Sequence, residues 1–484
     1  MNTKHTMNRL LLISLAAILL TACTTQEPQD ARESGDPARL YPDYTDVTVP
    51  PNLAPLRCRL LNEADEAIAV LQCGDHKIVQ GDDDGCFLFN IDEWRELMDA
   101  ARGKQLKVRI YTRIASDWML LKPFTINVAP DDIDPWLAYR LIAPTNELWY
   151  EMGIYQRDLT SWEERAVVTN KRLDHNCINC HSFHAQSPDR MMLHMRQSHS
   201  GTYLFLDGDL KRISGKMSDS IPNLVYPSWH PGGRFIAFSS NDITQMFHMS
   251  GNNRVEVYDK SSDVCIYDVE RHEALSHPLL HSADRFETEP TFSADGKTLF
   301  FCSAAAREMP ADYDRVRYSL CAIGFDPSTR SFANSVDTLF NAEAENASVS
   351  FPRVSPDGKW LIFTHHAYGN FPIWHREADL HIINLATGET QPMNAANSDD
   401  TESYHSWSGD SRWLAFASRR DDGLYTRVYL THINDQGEAS KPVMLPQESP
   451  DFYRSFMRSY NIPELIRHEI QIDTRRLERL ARKE

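Results

Sequence analysis

The chain is poor in positive charge, in cysteine and in long apolar runs. It carries 50 Lys+Arg against 68 Asp+Glu over 484 residues, a net charge of −18. That balance argues against a nucleic-acid binder, which needs a clustered basic footprint. Nine cysteines in this length are too few for a disulfide-stapled scaffold. Beyond the first two dozen residues no apolar run is long enough to cross the ~30 Å of a bilayer's hydrocarbon. There is no Gly-x-Ser-x-Gly elbow and no glycine-rich phosphate loop. His272 and His277 stand five apart, whereas a zinc-protease helix needs its histidines four apart. Against these absences, 42% of residues are apolar and 10% aromatic. The chain therefore has ample material for large cores, and global disorder is excluded.

The N-terminus resembles a bacterial lipoprotein signal. Lys4 and Arg9 precede an apolar run over residues 10–20, which ends in Leu20-Thr21-Ala22-Cys23. The resemblance implies that residues 1–22 are removed and that Cys23 carries the lipid. Thr24, not an acidic residue, follows the lipidated position, so the expected location is the outer membrane, facing the periplasm. The expected partners are the membrane, through the anchor, and envelope proteins or a redox partner; nucleic acid is not among them. The polar stretch over 23–43 reads as a flexible tether.

Residues 44–130 alternate in short stretches around one helical segment at 91–101, which predicts a small β-rich, sandwich-like domain. Cys58, Cys73 and Cys86 there read as core thiols, or as one disulfide with a spare. The aromatic-rich segment 131–176 reads as a connector with helical packing. Beyond it a repeat appears. Ser355-Pro356-Asp357-Gly358-Lys359-Trp360-Leu361-Ile362-Phe363 is its cleanest copy, and further copies start at Ser293, His230 and Ser408, with a weaker one at Ser187. A tight turn followed by an alternating strand, at spacings of 43–63 residues, predicts radial blades. The predicted fold is mainly β: a sandwich-like domain, then a five- or six-bladed β-propeller over 177–450. A helical tail over 451–484 docks by one face. The repeat resembles the propeller of the TolB family, which implies a binding role in the envelope and no catalytic chemistry of its own.

One motif carries chemistry: Cys177-Ile178-Asn179-Cys180-His181. Random placement of 9 Cys and 19 His over 484 positions would yield about 0.007 such motifs. The pattern resembles the haem attachment site of c-type cytochromes, which implies one covalent haem c. Cys177 and Cys180 would form the thioethers and His181 would be an axial iron ligand. For the second axial position His194 comes first, then Met192, His184 and His199; Met195 reads as core packing. The whole chain also resembles lipoproteins of Bacteroidetes type with this domain order. The functional expectation is electron transfer or redox sensing, with a haem peroxidase if the sixth position is vacant. The alternative is a TolB-like interaction scaffold without haem. Two other uses of the motif stand beside these: a disulfide or redox pair between Cys177 and Cys180, and a zinc site using Cys177, Cys180 and His181 or His184. Ser418-Arg419-Arg420-Asp421-Asp422 reads as an exposed polar loop, or else as a binder of an acidic group.

Overall fold

The computed structural model describes residues 25–143, 151–213, 217–218, 221, 223–248, 251 and 253–483. Residues 1–22, Cys23 and its lipid lie outside them.

The N-terminal domain pairs a seven-stranded sheet with a three-stranded one. The helix Ile91–Ala101 starts at Asn90, whose side chain accepts from the amides of Asp92 and Glu93, and buries Trp94, Leu97, Met98 and Ala101. Residues 25–43 are part of this domain and not a loose tether. The strand Arg32–Pro37 runs parallel to Asp117–Lys122. Glu27 accepts from Arg109 Nε (2.8 Å) and from the Tyr111 hydroxyl (2.7 Å), and pairs with Lys77. Against the cost of burial, these partners hold its carboxyl at about 2. Polar composition misled here because ion pairs and strand pairing, with the burial of Leu40, dock the segment. Cys58, Cys73 and Cys86 are unpaired thiols.

Six four-stranded antiparallel sheets follow among the described residues, and they form a β-propeller. The inner strands are Ser459–Ile466 (blade one), Ile178–His184 (two), Val225–Trp229 (three), Arg285–Phe292 (four), Ser348–Val354 (five) and Glu402–Trp407 (six). Each inner strand lies beside the next, and the sixth returns to the first, so the ring is closed. Blade one joins the two ends of the ring. Its inner strand comes from the C-terminal segment, and its other three strands are Trp136–Ile142, Gly153–Asp158 and Glu164–Thr169. The propeller therefore spans 136–466 and has six blades.

Two expectations are corrected by that closure. The segment 131–176 is not a helical connector, because strands buried on both faces read as continuous apolar runs that period alone cannot tell from helix. Leu137, Ala138, Tyr139 and Leu141 are all buried. The tail is likewise not one helix. Leu465 and Ile466 belong to the closing strand, a short helix at Phe452–Ser455 precedes it, and the helix Thr474–Ala481 follows, burying Leu477 and Ala481.

The repeated turn does what its residues suggest. Ser355 Oγ donates to Asp357 Oδ1 (2.6 Å) and accepts from the Trp360 amide (3.0 Å), and Ser293 and Ser408 make the same bonds. Gly358 closes the turn at φ +73°, where a Cβ would be strained. The N-terminal domain sits against blade six and the loop that follows it. Tyr44 donates to the Met444 carbonyl (3.2 Å) and Arg59 pairs with Asp451 (2.6 Å).

Candidate functional site: the central cavity

A second regularity governs the centre of the ring. Every inner strand carries a bulge near its midpoint. In four blades the bulge is a residue at φ 48–57° followed by a buried proline: Tyr226-Pro227, Glu289-Pro290, Phe351-Pro352 and Ile462-Pro463. A bulge tolerates proline because no ladder N–H is lost there. Blade six places Tyr404-His405 at this position, and blade two places Cys180-His181. The last two residues of the haem-like motif thus occupy a fixed position of the propeller repeat.

Around this ring lies a cavity of about 190 Å³, lined by residues of blades one, two, three, five and six and by the chain between them. Aromatic and aliphatic side chains form most of its wall, among them Tyr226, Phe247, Phe371, Trp374 and Tyr404. One side is closed by the long hairpin of blade three (Phe235–Phe247 and Val255–Asp268), which contributes Ile243, Gln245, Phe247, Val255 and Val257. That hairpin is tied to blade five. Glu256 accepts from the Tyr368 hydroxyl (2.9 Å) and from His375 Nε2 (3.2 Å). Burial opposes charge on His375, but Glu256 and Glu377 raise it to about 9, so it is cationic at neutral pH.

Into this apolar cavity come two buried arginines. Arg419, 3% exposed, stacks its guanidinium 3.6 Å from the Trp374 ring centre. It donates through Nη2 to the Gly423 carbonyl, while its Nε and Nη1 have no hydrogen-bond partner. Burial lowers its pKa to about 10, and Asp400 and Asp422 offset only part of that. Arg140, 9% exposed, donates to Asn179 Oδ1 (2.8 Å) and leaves Nε unpartnered. Arg196 adds a third guanidinium to the wall. A buried cation with unmatched N–H groups is costly unless an anion completes it.

The motif residues are dispersed. Cys177 is buried and lines the cavity; Cys180 is placed by register alone. His181, 1% exposed, faces the backbone of Ala138 and Ile462 in blade one, and burial lowers its pKa to about 3. Neither of its nitrogens reaches good hydrogen-bond geometry, its ring stands edge-on to Phe183 at 5.8 Å, and it is absent from the cavity wall. A c-type haem needs both sulfurs and the imidazole on one porphyrin. An extended strand instead spaces residues by about 3.3 Å each, spreading the motif over roughly 13 Å. The residues present do not fit a covalent haem ligated by His181.

The other expected ligands do not gather either. His194 is buried with Nδ1 on Thr202 Oγ1 (3.0 Å). Met192 lies in the core shared with blade three, and Met191, Leu193 and Met195 lie in the core shared with blade one. Sequence parity separated these two faces properly, but the face of His194 and Met192 is a blade interface and not a ligand pocket. His184 Nε2 bonds the Pro231 carbonyl (2.9 Å). His199 bridges Asp174 (3.0 Å) and the Ala481 carbonyl (3.0 Å), holding the C-terminal helix. No grouping of three or more His, Cys, Asp or Glu side chains able to hold a metal occurs among the described residues; the zinc alternative, which needs the Cys180 side chain, lies in part outside them. Arg140, Trp374 and the blade-three hairpin were missed in the sequence because their convergence is long-range; Arg419 had a signal in the Ser418–Asp422 run.

No family model and no curated protein matches the chain. Solved structures are similar at low identity. A puromycin hydrolase matches 64% of this chain with 13% identity and a TM-score of 0.38, the match spanning 45% of that protein's length. A DUF4784 family protein from Bacteroides caccae matches 88% of this chain and 98% of its own at 11% identity and a TM-score of 0.35. An oligogalacturonate lyase in complex with manganese matches 84% of this chain and 99% of its own at 11% identity and a TM-score of 0.33.

Proposed function

We propose that this chain is a lipid-anchored binding protein of the bacterial cell envelope. Its TolB-like propeller holds an amphipathic organic anion in the central cavity. The observation that carries this reading is Arg419, a guanidinium of the cavity wall stacked on Trp374, with two buried nitrogens that have no hydrogen-bond partner among the described residues. Its fork matches a carboxylate, sulfonate or phosphate bidentately, and Trp374, Tyr404 and Phe247 suit an aromatic or alkyl body. Arg140 and Arg196 strengthen the field for an anion in a chain whose overall charge is −18. The Lys4–Cys23 signal supports the anchor and the envelope location.

Anilinonaphthalene sulfonate, an aromatic anion, is a probe of this class. Titrated into the folded protein, it is expected to bind saturably at one site with a fluorescence rise. Arg419→Gln should weaken that binding about tenfold or more, the worth of one charged hydrogen-bond pair. Absence of saturable binding, or equal affinity in the variant, would refute the reading.

A further inference from the structure

We infer that His181 is a strut between blades one and two, the blade-two copy of His405, and that Cys177-Ile178-Asn179-Cys180-His181 is not a haem-ligating unit. The two histidines occupy the same position of the propeller repeat. His405 follows Tyr404 at the bulge of blade six, as His181 follows Cys180 in blade two. Both are nearly inaccessible to solvent, at 4% and 1%.

His405 Nε2 reaches back to the Ile362 carbonyl of the preceding blade (3.2 Å), and His181 faces the Ala138 backbone of its own preceding blade. Those acceptors correspond. Ile362 pairs across its sheet with Arg353, and Ala138 pairs with Glu464. Arg353 and Glu464 are each the residue after the proline of Phe351-Pro352 and of Ile462-Pro463.

An imidazole is thus one of two solutions at this position, and Pro227, Pro290, Pro352 and Pro463 are the other. Both fill the gap between adjacent blades without needing a ladder N–H. The same repeat explains the residues that follow. Ser182-Phe183 aligns with Ser228-Trp229, Thr291-Phe292 and Ser406-Trp407 through the sheet registers. With histidine one of two residue types used at this position of the repeat, the two cysteines carry most of the motif's rarity.

The test uses the full chain expressed with a c-haem assembly system, as wild type, His181→Pro and His405→Pro. Circular-dichroism melts report folding; intact mass and the Soret spectrum report haem. Both proline variants are expected to fold and to melt within about 5 °C of wild type, and neither the wild type nor His181→Pro should carry haem by intact mass or Soret absorption. Covalent haem on the wild type overturns the inference, most directly where its spectrum is histidine-ligated and His181→Pro abolishes it with the melt preserved. So does a His181→Pro that fails to fold where His405→Pro folds. Should neither variant fold, the wild type decides: an apo mass supports the inference, and covalent haem with histidine ligation defeats it.

Discussion

Ile466 is where the closure of the ring can be weighed. It ends the inner strand of blade one, is fully buried, and packs in the core that blade one shares with blade two. Ile466→Ala removes three carbons, a transfer loss of about 2.4 kcal/mol at ~0.8 kcal/mol per methylene. Incomplete relaxation of the cavity brings the cost to roughly 3–4 kcal/mol. That is a large share of a total stability on the order of 5–15 kcal/mol. For a unit this large, each kcal/mol shifts the melting point by about 2 °C, so the melt should fall by roughly 6–8 °C. Leu480→Ala, in the half-buried flank of the C-terminal helix, serves as control and should cost under about 2 kcal/mol. Urea midpoints and thermal melts measure both. A shift for Ile466→Ala no greater than the control's would mean that the C-terminal strand is not an integral part of blade one, and the closed ring would fall with it.

Removing residues 459–484 should do more, since Tyr460, Leu465 and Ile466 leave the core together; the expected product is protease-sensitive, and a protease-resistant core of full propeller size would contradict this. Burial raises the Glu464 carboxyl to about 8, Arg353 and the Phe183 amide offsetting only part of it. Between pH 4.5 and 8 the folded state keeps this proton while the unfolded chain loses it, so this group's contribution to stability declines as pH rises through that window. Glu464→Gln should therefore stabilise the protein more at pH 8 than at pH 5, by on the order of 2 kcal/mol, as read from urea midpoints at the two pH values. Gly296→Ala meets both a φ of +72° and the His230 ring 2.1 Å from the new Cβ, and should cost about 2 kcal/mol more than Gly388→Ala. Gly388 has a similar φ and nothing within 4 Å; equal melting points for the two would show that the His230 contact is soft. Cys23→Ser should move the protein from the membrane to the soluble fraction on fractionation of the cell envelope; retention in the membrane would refute the anchor.

Much of the architecture was legible in the residues. The repeated turns, with Ser-x-Asp in blades four, five and six, fix where strands begin, because serine and aspartate satisfy that turn locally, and local chemistry survives in a one-dimensional reading. The helix at 91–101 and the alternating strands of the first domain were equally local. What the repeat could not show was its own completion. Blade one is assembled from segments more than 300 residues apart, and a doubly buried strand such as Trp136–Ile142 carries no period to announce itself. The cavity is the same case: Arg140, Arg419 and Trp374 are ordinary residues until the ring brings them to one wall. His181 is the opposite case. Beside two cysteines it has the pattern of an iron ligand, because sequence records neighbours along the chain. Only the closed ring turns its imidazole toward blade one, where packing between adjacent blades determines what the side chain can touch.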